Sequence, residues 1–469
     1  MAERDEGKIK GGRMARTAPL VGLAGRTAGE AVVASLRRRV RGPASEADTA
    51  AFHERAAERY AEQLGRSKGV LMKAGQIMSF VGVSVEGEYQ PIYQRALERL
   101  QDDAPPMPPE MAAAMVEEEL GAPPSEIFAS FDPEPVAAAS IGQVHRATTH
   151  DGRTVAVKIQ YPGVEKAIRA DLANTELLAT FFQMGRGLVP GGFTRMDVRA
   201  VAREVAERIG EEIDYLAEAR NQQEFRDAYA GHPFIRIPEV FPELSSRRVL
   251  TMEFVEGMRY RAALAVDDQD LKNRWGEAMF RFTIGSIRRM HLFHADPHPG
   301  NYLFHADGTV TFLDFGSVKR FPAETVAFMV GLAEGAVAGD ADALMDLHFA
   351  RGVLDPADAP PPGQVLGWWT ETLSAWTRPQ PYTYTPESTN AATAVEFGVN
   401  GPYGEYLRKW RMDPGMTMLT RIQLGMSAVL SAFYATADWE LIRWEWDRSG
   451  PPATPMGELD QEFWGGVRV

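Results

Sequence analysis

The sequence contains no cysteine among its 469 residues. Disulfide bonds and thiolate metal sites such as structural zinc fingers are therefore excluded, although this absence does not by itself assign a cellular compartment. Long apolar runs are also missing. The longest, residues 426–435, is far shorter than the roughly 20 residues that a transmembrane helix needs. We therefore expect no membrane-spanning helix.

Positive charge is in deficit, with a formal net charge of −14 at pH 7. A strongly acidic chain disfavours nucleic acid as a partner, because binding a polyanion needs a basic surface. The exception is residues 1–42, which hold ten Arg or Lys against four Asp or Glu. Two interpretations of residues 19–40 stay open: a basic amphipathic helix on an anionic membrane surface, or a helix packed on the small lobe.

No signal peptide is expected, since the first residues include Glu3, Asp5 and Glu6 and no uninterrupted apolar core follows them. We expect a cytoplasmic location. If the basic helix binds lipid, the protein would be peripheral at the inner face of the membrane.

The strongest chemical signal is His294-Ala-Asp-Pro-His-Pro-Gly-Asn301, followed thirteen residues later by Asp314-Phe-Gly316. Kinase-like enzymes use this combination to hold Mg²⁺ and to orient the phosphoryl acceptor. Mg²⁺ prefers hard oxygen ligands and usually takes only one or two protein carboxylates. We expect Asp314 and Asn301 to be the metal ligands and Asp296 to orient or deprotonate an attacking hydroxyl.

The residues between these motifs predict a short hairpin. Two strand-like stretches, residues 302–305 and 309–313, flank Asp307-Gly308, and Asp-Gly is a strong hairpin-turn signal. Such a hairpin would bring Asn301 and Asp314 side by side at the ends of its strands.

Two other interpretations of this segment stay open. One makes a transition-metal site of four side chains: His291, His294, Asp296 and His298. Pro297 and Pro299 disfavour it, because they prevent a regular helix that would place the imidazoles on one face. The other is a buried polar loop without chemistry. We expect His294 to support the loop and not to bind a metal ion.

A kinase-like loop requires an upstream lysine on a strand. Residues 153–160 alternate as a strand with the sequence Val-Ala-Val-Lys ending at Lys158, after a turn at Asp151-Gly152. Before that turn, residues 137–147 occupy the place of a phosphate-covering loop. Alanine cannot adopt positive φ cheaply, so this alanine-rich loop should be stiffer than the glycine-rich loop of protein kinases.

The predicted nucleotide contacts fall in three stretches: the alanine-rich segment, the strand that carries Lys158, and the segment around residues 252–255. Between the two lobes, residues 248–257 predict a strand that runs into a hinge. Backbone groups near residues 253–255 would hydrogen-bond adenine, although a purely structural strand explains these residues equally well. The predicted nucleotide-binding residues are Ala137, Ala138, Ala139, Ser140, Gly142, Gln143, Val144, Ala156, Lys158, Met252, Glu253, Phe254 and Val255.

The partner expected for Lys158 lies in the acidic run of residues 211–221, within a helical pattern that begins near residue 196. At 100° per residue, Glu212 and Glu218 point to different sides, whereas Asp214 and Glu218 share a face at i, i+4. One carboxylate can therefore meet Lys158 while another has a different contact. Taken alone, such a run is more often a solvated helix face.

These motifs together resemble the UbiB family, also called AarF, of atypical kinases tied to isoprenoid quinone biosynthesis. The resemblance covers about residues 65–325 and includes three marks of the family: Lys73-Ala-Gly-Gln76 for K-x-G-Q, the alanine-rich loop at residues 137–140, and Glu212-Ile-Asp214 for E-x-D. It implies that Lys158 aligns nucleotide phosphates and that Glu218 is its ion-pair partner.

The resemblance also implies a regulatory role for Lys73, Gln76, Glu212 and Asp214. In the family, the K-x-G-Q segment lies over the site where a kinase would bind a peptide, and the E-x-D residues contact it. This arrangement is associated with ATPase activity or restrained phosphoryl transfer. The sequence agrees, because no A-P-E follows Asp314-Phe-Gly316, so an ordinary protein substrate is not expected.

Aminoglycoside and choline phosphotransferases have a similar catalytic loop, but they lack the K-x-G-Q segment and the alanine-rich loop. A small-molecule phosphotransferase and a non-catalytic, nucleotide-gated lipid-binding scaffold remain the alternatives. We expect ATP or ADP with Mg²⁺ as cofactors, and prenyl lipids, quinone intermediates or an anionic membrane surface as partners. The oligomeric state stays open.

The expected fold class is α+β: a bilobal protein kinase-like fold with a small mixed β-sheet lobe, a larger mainly helical lobe and an N-terminal helical extension. The predicted boundaries are 1–60 for the basic extension, 61–124 for the K-x-G-Q segment, 125–256 for the small lobe and 257–469 for the helical lobe. Two proline-rich stretches, residues 355–364 and 378–390, are predicted to be loops. Eight tryptophans after residue 367 are expected mostly in a core.

Overall fold

A computed structural model of the chain describes residues 107–139, 141–172, 210, 213–398, 401–411 and 414–466. The chain divides into two units. The first comprises the described residues up to Ala219 together with Val240–Phe254, and the second comprises Arg220–Glu239 and the chain from Val255 onward. The boundaries predicted after residues 60, 124 and 256 stay predictions, and the structure adds that residues 220–239 group with the second unit.

The first unit is built on a four-stranded antiparallel sheet in the order β1-β2-β3-β5. Its elements are α1 (Pro109–Leu120), α2 (Pro124–Ile127), β1 (Ser130–Ala139), β2 (Gly142–Thr148), β3 (Thr154–Gln160), α3 (Val164–Leu172), the start of α4 (Tyr215–Ala228) and, after β4 of the second unit, β5 (Val249–Glu253). Alternation on β3 buries Val155, Val157 and Ile159 completely, and these side chains form one core with α1. The predicted strand ending near Lys158 is therefore confirmed.

The described part of the second unit contains three small sheets and most of the described helices. Its strands are β4 (Ile235–Arg236), β6 (Leu292–His294), β7 (Tyr302–Phe304), β8 (Val310–Phe312), β9 (Val318–Arg320), β10 (Tyr382–Thr383) and β11 (Thr436–Ala437). The sheets are β4-β8-β7, β6-β9 and β10-β11. Only the β4–β8 pair among these described strands is parallel. The antiparallel β7–β8 pair confirms the hairpin predicted around Asp307-Gly308, where Gly308 has φ +89°.

The described helices of the second unit follow the chain from α5 (Tyr260–Leu264) to α15. They are α6 (Gln269–Met290), α7 (Ala323–Ala338), α8 (Ala341–Arg351), α9 (Pro362–Thr372), α10 (Ser374–Thr377), α11 (Pro386–Phe397), α12 (Gly404–Lys409), α13 (Pro414–Ala432), α14 (Trp439–Asp447) and α15 (Pro455–Gly466). None of the helices in this part of the chain is both long and apolar enough to cross a bilayer.

Helix α6 positions the strand that leads into the catalytic motif. Asp268 caps its N-terminus by accepting a hydrogen bond from Leu271 N at 2.9 Å. Its buried face includes Trp275, Phe280 and Phe282. The helix ends at Met290, and the capping residue His291, with φ +55°, turns the chain directly into β6.

The loop predictions for the proline-rich stretches are partly wrong, because two helices begin inside them. Helix α9 starts at Pro362 and α11 at Pro386. Proline is well tolerated at the first helical position, where its missing N–H would have no partner within the helix. Thr385 and Ser388 form a capping box at the start of α11, which is the signal that marks this helix.

The C-terminal tryptophans divide between the core and the surface. Trp368, Trp369 and Trp439 are buried in the core, whereas Trp444 is 39% exposed. Trp368 and Trp369 belong to the cluster that joins α7, α8 and α9, and Trp439 belongs to the cluster around α6. The expectation of a mainly structural role is met at these three buried positions.

A buried charged network ties α6 to the C-terminal helices. The Arg281 guanidinium donates to Glu277 Oε1 at 2.8 Å and to both carboxylate oxygens of Glu445 at 2.7 and 2.8 Å. Asp460 accepts from Arg289 at 2.8 Å and pairs with His232 at 3.0 Å. Buried charges are tolerated when they are paired in this way. The network therefore holds in place the helix that precedes β6.

We expect Asp460→Asn to weaken the fold and to change its response to acid. Burial raises the Asp460 pKa, but hydrogen bonds and charge from His232 and Arg289 outweigh it and hold the pKa at about 2, below the ordinary 3.8. Because the folded pKa is lowered, this stabilisation is present above pH 4 and lost as the pH falls toward 2, and amounts to about 2 kcal/mol.

Thermal unfolding between pH 7 and pH 2 measures this effect. The variant should start less stable than the wild type and lose less stability between pH 4 and pH 2. Asp346→Asn, at an exposed position on α8, is the control and should follow the wild-type profile. Equal acid sensitivity in the Asp460 variant and the wild type would contradict the assignment.

Candidate functional site

The first unit holds a buried ion pair between Lys158 and Glu218. Lys158 Nζ donates to Glu218 Oε1 at 2.8 Å and to Oε2 at 3.0 Å. Both residues are buried, at 7% and 2% exposure. An ammonium group is strongly disfavoured in such surroundings unless a charge of opposite sign accompanies it. The pair therefore holds the lysine head group in one position at the end of β3.

Tyr215 adds a contact that the sequence reasoning did not identify. Lys158 Nζ lies 4.9 Å from the centroid of the Tyr215 ring, within the range of a cation–π interaction. Tyr215 precedes Glu218 by three residues on α4, so the two side chains share a helix face. In the sequence, this i, i+3 spacing from Glu218 was the feature that could have identified Tyr215 as a neighbour of Lys158.

Asp214 lies just before α4, whereas the sequence predicted that it shares a helix face with Glu218. It precedes α4, and its Oδ1 accepts hydrogen bonds from Leu216 N at 3.1 Å and Ala217 N at 3.2 Å. It is therefore an N-terminal cap of the described part of the helix, not a side chain on a helix face shared with Glu218. The other predicted regulatory residues, Lys73, Gln76 and Glu212, lie outside the described residues, as does Ser140.

The three alanines predicted to form a phosphate-covering loop are strand residues. Ala137, Ala138 and Ala139 end β1 and pair with Val144, Gln143 and Gly142 of β2. The loop expectation is thus corrected, because residues 137–139 belong to β1 and residues 142–147 belong to β2. Alanine is compatible with extended backbone, and pairing with β2 satisfies the strand's hydrogen-bonding groups. These backbones remain the candidates for contact with a nucleotide.

Gly142 and Gln143 have structural roles that the sequence did not reveal. A Cβ at Gly142 would lie 2.1 Å from the carbonyl oxygen of Ile159 on β3, so only glycine permits the observed approach. The Gln143 side chain is buried. Its Oε1 accepts from Met107 N at 2.8 Å and its Nε2 lies 2.7 Å from His145 Nε2. The Gln143 side chain is therefore occupied by contacts within the first unit.

The predicted hinge begins at the end of β5. Ala156 of β3 pairs with Met252 of β5, and Phe254 N donates to Thr154 O at 3.1 Å. The Arg146 guanidinium lies over the Phe254 ring, 4.9 Å from its centroid. Glu253 is the last residue of β5, and Val255 belongs to the second unit.

The second unit brings together Asp296, Asn301 and Asp314. Asn301 Nδ2 donates to Asp296 Oδ2 at 2.9 Å and to the Asp296 carbonyl oxygen at 3.2 Å. Leu313 N donates to Asn301 O at 2.8 Å, which places Asp314 next to Asn301 at the ends of the β7–β8 hairpin. Because the Asn301 amide nitrogen serves as the donor, Oδ1 is the Asn301 side-chain atom able to ligate a cation.

His294 supports this arrangement from β6. Its Nε2 lies 2.8 Å from the Asp314 carbonyl oxygen, and since a carbonyl can only accept, Nε2 carries the proton. Asp314 has φ +59°, an uncommon conformation for a residue with a Cβ. Gly316 N donates to Asp314 Oδ1 at 3.2 Å. These bonds stabilise a backbone turn that directs the Asp314 carboxylate.

The rival transition-metal interpretation finds no support in the structure. Among the described residues, no group of three or more His, Asp or Glu side chains is placed to hold a metal ion. His298 Nδ1 accepts from Gly300 N at 3.0 Å, and His294 is bonded to Asp314. Both imidazoles therefore serve the loop itself, as expected for His294.

Asn221 is a further residue that the motifs did not reveal. Its Nδ2 donates to the carbonyl oxygen of Phe315 at 3.1 Å. Phe315 is fully buried and packs against Phe225, with 5.1 Å between ring centroids. Asn221 therefore supports the Asp-Phe-Gly turn from α4. The kinase-like motifs predict no asparagine at this position of α4, so only the tertiary contact identifies it.

A family model of the ABC1 atypical kinase-like domain matches residues 99–348, more than half of the chain. The chain therefore belongs to this family of atypical kinases, whose relatives include aarF domain-containing and COQ8B proteins. The resemblance to UbiB proteins is thereby confirmed. The expected kinase-like combination of small sheets and a helical majority is confirmed as well.

Two curated relatives illustrate the match. Protein ACTIVITY OF BC1 COMPLEX KINASE 3, chloroplastic, of Arabidopsis thaliana is 36% identical over 271 residues, which cover 57% of this chain and 37% of that protein. Atypical kinase COQ8B, mitochondrial, of Rattus norvegicus is 35% identical over 301 residues, which cover 63% of this chain and 55% of that protein. The chain thus spans between about a third and about half of the length of these relatives.

A solved structure extends the comparison beyond the matched domain. The complex of Rv3197 with erythromycin from Mycobacterium tuberculosis has a TM-score of 0.60 and 29% sequence identity to this chain. The alignment covers 86% of this chain and 98% of that chain. The similarity therefore includes much of the C-terminal helical region.

We expect Gly142→Ala to destabilise the first unit, because a methyl group would collide with the Ile159 carbonyl. Overpacking of this kind costs roughly 1–3 kcal/mol, seen as a drop in the midpoint of thermal unfolding. Gly363→Ala on α9 is the matched control, since nothing lies within 4 Å of a Cβ there. An unchanged midpoint for Gly142→Ala would show that β2 and β3 are not packed as described.

Proposed function

We propose that this chain is an ATP-dependent phosphotransferase or ATPase of the UbiB type that acts on Mg-nucleotide. The observation that carries the proposal is the grouping of Asp296, Asn301 and Asp314 at the end of one hairpin. Kinase-like chemistry requires a carboxylate and an amide for the metal and a second carboxylate for the attacking oxygen. The family match supports this assignment.

The residues present fit a magnesium ion. Asp314 supplies a carboxylate and Asn301 supplies Oδ1, both hard oxygen donors, and phosphate and water oxygens complete the coordination of Mg²⁺ in such sites. When bound, the ion would neutralise negative charge on the phosphates as it accumulates in the transition state. The hydrogen bond from Asn301 to Asp296 would orient the Asp296 carboxylate toward the attacking hydroxyl or water.

The nucleotide-binding groups in the proposal come from the first unit, except for Val255, which belongs to the second. Lys158 would align the phosphates, and Glu218 would keep the lysine charged and oriented. The backbones of residues 137–139 and 142–144 would border the phosphates, and those of residues 252–255 would contact adenine, with Ala156 beside the base. The proposed nucleotide is ATP or ADP.

The proposed biological role is support of isoprenoid quinone or prenyl-lipid metabolism, as the family resemblance implies. A regulatory role for Lys73, Gln76, Glu212 and Asp214 belongs to the same proposal, and so does peripheral binding to an anionic membrane from the cytoplasmic side. The capping bonds of Asp214 support a structural contribution by that residue to the start of α4.

We expect Asp314→Asn to reduce magnesium-dependent phosphate release from ATP by roughly 100-fold or more, because the metal loses its carboxylate ligand. Asp296→Asn should also reduce release while retaining thermal stabilisation by Mg-ATP and Mg-ADP. Asp346→Asn is the control and should behave as wild type. The assay measures phosphate release and the unfolding midpoint together, with and without anionic liposomes.

The outcomes separate the competing functions. Unchanged turnover in Asp314→Asn would overturn the metal assignment. Stabilisation by nucleotide without phosphate release under any lipid condition would favour the nucleotide-gated scaffold. Transfer of phosphate to an added small hydroxylated compound, with little release to water, would favour the small-molecule phosphotransferase.

A further inference from the structure

Helix α13 packs directly against the candidate catalytic loop. A Cβ at Gly425 of α13 would lie 2.4 Å from Cγ and 2.9 Å from Cβ of Pro297. Favourable contacts between carbon atoms are about 3.5–4.0 Å, so the helix approaches the proline ring more closely than a residue with a Cβ would allow. Pro297 directly follows Asp296. The contact therefore joins a C-terminal helix to the neighbour of the proposed catalytic carboxylate.

Space, and not backbone conformation, explains the glycine at position 425. Gly425 is buried in the interior of α13, where glycine is less favourable than alanine because it loses more backbone freedom on folding. Its φ is not positive, so the local conformation would accept any residue that a helix accepts. The close approach of the Pro297 ring is what excludes a larger residue there.

The core holds α13 more firmly than the solvent holds the loop. Three side chains that follow Gly425 are buried in the same cluster as β7 and β8: Val429, Leu430 and Phe433. The Phe433 ring lies 5.2 Å from the Phe304 ring of β7, between centroids. Residues 298–300 of the loop are by contrast partly or fully exposed. A collision at Gly425 would therefore displace the loop more readily than the helix.

A displacement of Pro297 reaches Asp296 through the backbone. The proline ring includes main-chain atoms and fixes φ at about −65°, so it cannot rotate away from α13 as an ordinary side chain could. The peptide group that joins the two residues contains the Asp296 carbonyl oxygen, which accepts from Asn301 Nδ2 at 3.2 Å. A shift of about 1 Å would restore an ordinary carbon contact at Gly425. The same shift would disturb both bonds from Asn301 to Asp296.

We propose that Gly425 is a positioning residue for the phosphoryl chemistry: by admitting the Pro297 ring, it sets the place of the Asp296 carboxylate beside Asn301. This inference rests on the proposed function, because it takes Asp296 as the group that orients the attacking oxygen. The family match ends at residue 348, so α13 lies outside the matched domain. The catalytic loop thus depends on a helix that its own motif does not include.

Gly425→Ala in the full-length chain should lower kcat for magnesium-dependent phosphate release by about 10–100-fold, because misplacing a catalytic group by about 1 Å has an effect of this size. The KM for ATP should stay within about twofold, since the groups proposed to bind the nucleotide keep their places. Gly363→Ala on α9 is the matched control and should behave as wild type, because nothing lies within 4 Å of a Cβ there. Alanine favours helix, so loss of helix would not explain a lower kcat.

Pro297→Ala shows whether the effect runs through this contact. It removes the ring Cγ, the nearest atom, and leaves a Cβ at 2.9 Å. In this background Gly425→Ala should reduce kcat by a factor at least about threefold smaller than in the wild type. A general weakening of the fold would reduce kcat equally in both backgrounds. If the unfolding midpoint shows that Gly425→Ala alone does not fold, the double variant should fold, and an unfolded double variant would contradict the proposal.

Hydrogen exchange tests the positioning without turnover. Amide exchange in residues 296–301, measured by mass spectrometry, should be about tenfold faster in Gly425→Ala than in the wild type, and the increase should be smaller in the Pro297→Ala background. Wild-type kcat or wild-type exchange in folded Gly425→Ala, or equal kcat losses in the two backgrounds, would overturn the proposal. A wild-type chain that releases no phosphate would overturn the proposed function alone, and exchange would then decide whether Gly425 positions the loop.

Discussion

The candidate catalytic arrangement depends on two hydrogen bonds to the backbone beside Asp314. One runs from Leu313 N to the Asn301 carbonyl and closes the base of the β7–β8 hairpin. The other runs from His294 Nε2 to the Asp314 carbonyl and joins β6 to the residue that follows the hairpin. Because Asp314 adopts a positive φ, its backbone needs this external support. Without these bonds, the amide and carboxylate oxygens would not be held beside each other.

The surrounding helical structure maintains that arrangement from a distance. Helix α6 leads directly into β6, and the buried charges around Arg281 and Asp460 attach this helix to α14 and α15. A buried charge network is costly to break because removal of one member leaves the others without compensation. The C-terminal helices therefore contribute to the position of His294 although they contribute no group to the proposed chemistry.

The predictions that succeeded concern residues whose neighbours are close in sequence. The β7–β8 hairpin follows from an Asp-Gly turn between two short apolar stretches, and β3 follows from strict alternation before Lys158. The loop predictions for the proline-rich stretches and for the three alanines were wrong where the same residue type is common in two kinds of structure. Proline marks both loops and first turns of helices, so Pro362 and Pro386 were assigned to loops. Alanine permits both loop and strand, and the pairing of Ala137–Ala139 with β2 depends on the partner strand.

By itself, the sequence determined the chemical groups available and their order: a lysine after an alternating strand, an acidic run, a loop with Asp296 and Asn301, and Asp314 after a hairpin. Residue type and short spacing carry this information because turn and strand preferences are local. The spacing of the acidic run left open which carboxylate meets Lys158, the family resemblance pointed to Glu218, and the tertiary structure shows that pair. Only the tertiary structure decided that Asn221 bonds to Phe315. Both contacts join residues far apart in the chain, and packing of whole elements, which local preference does not encode, selects them.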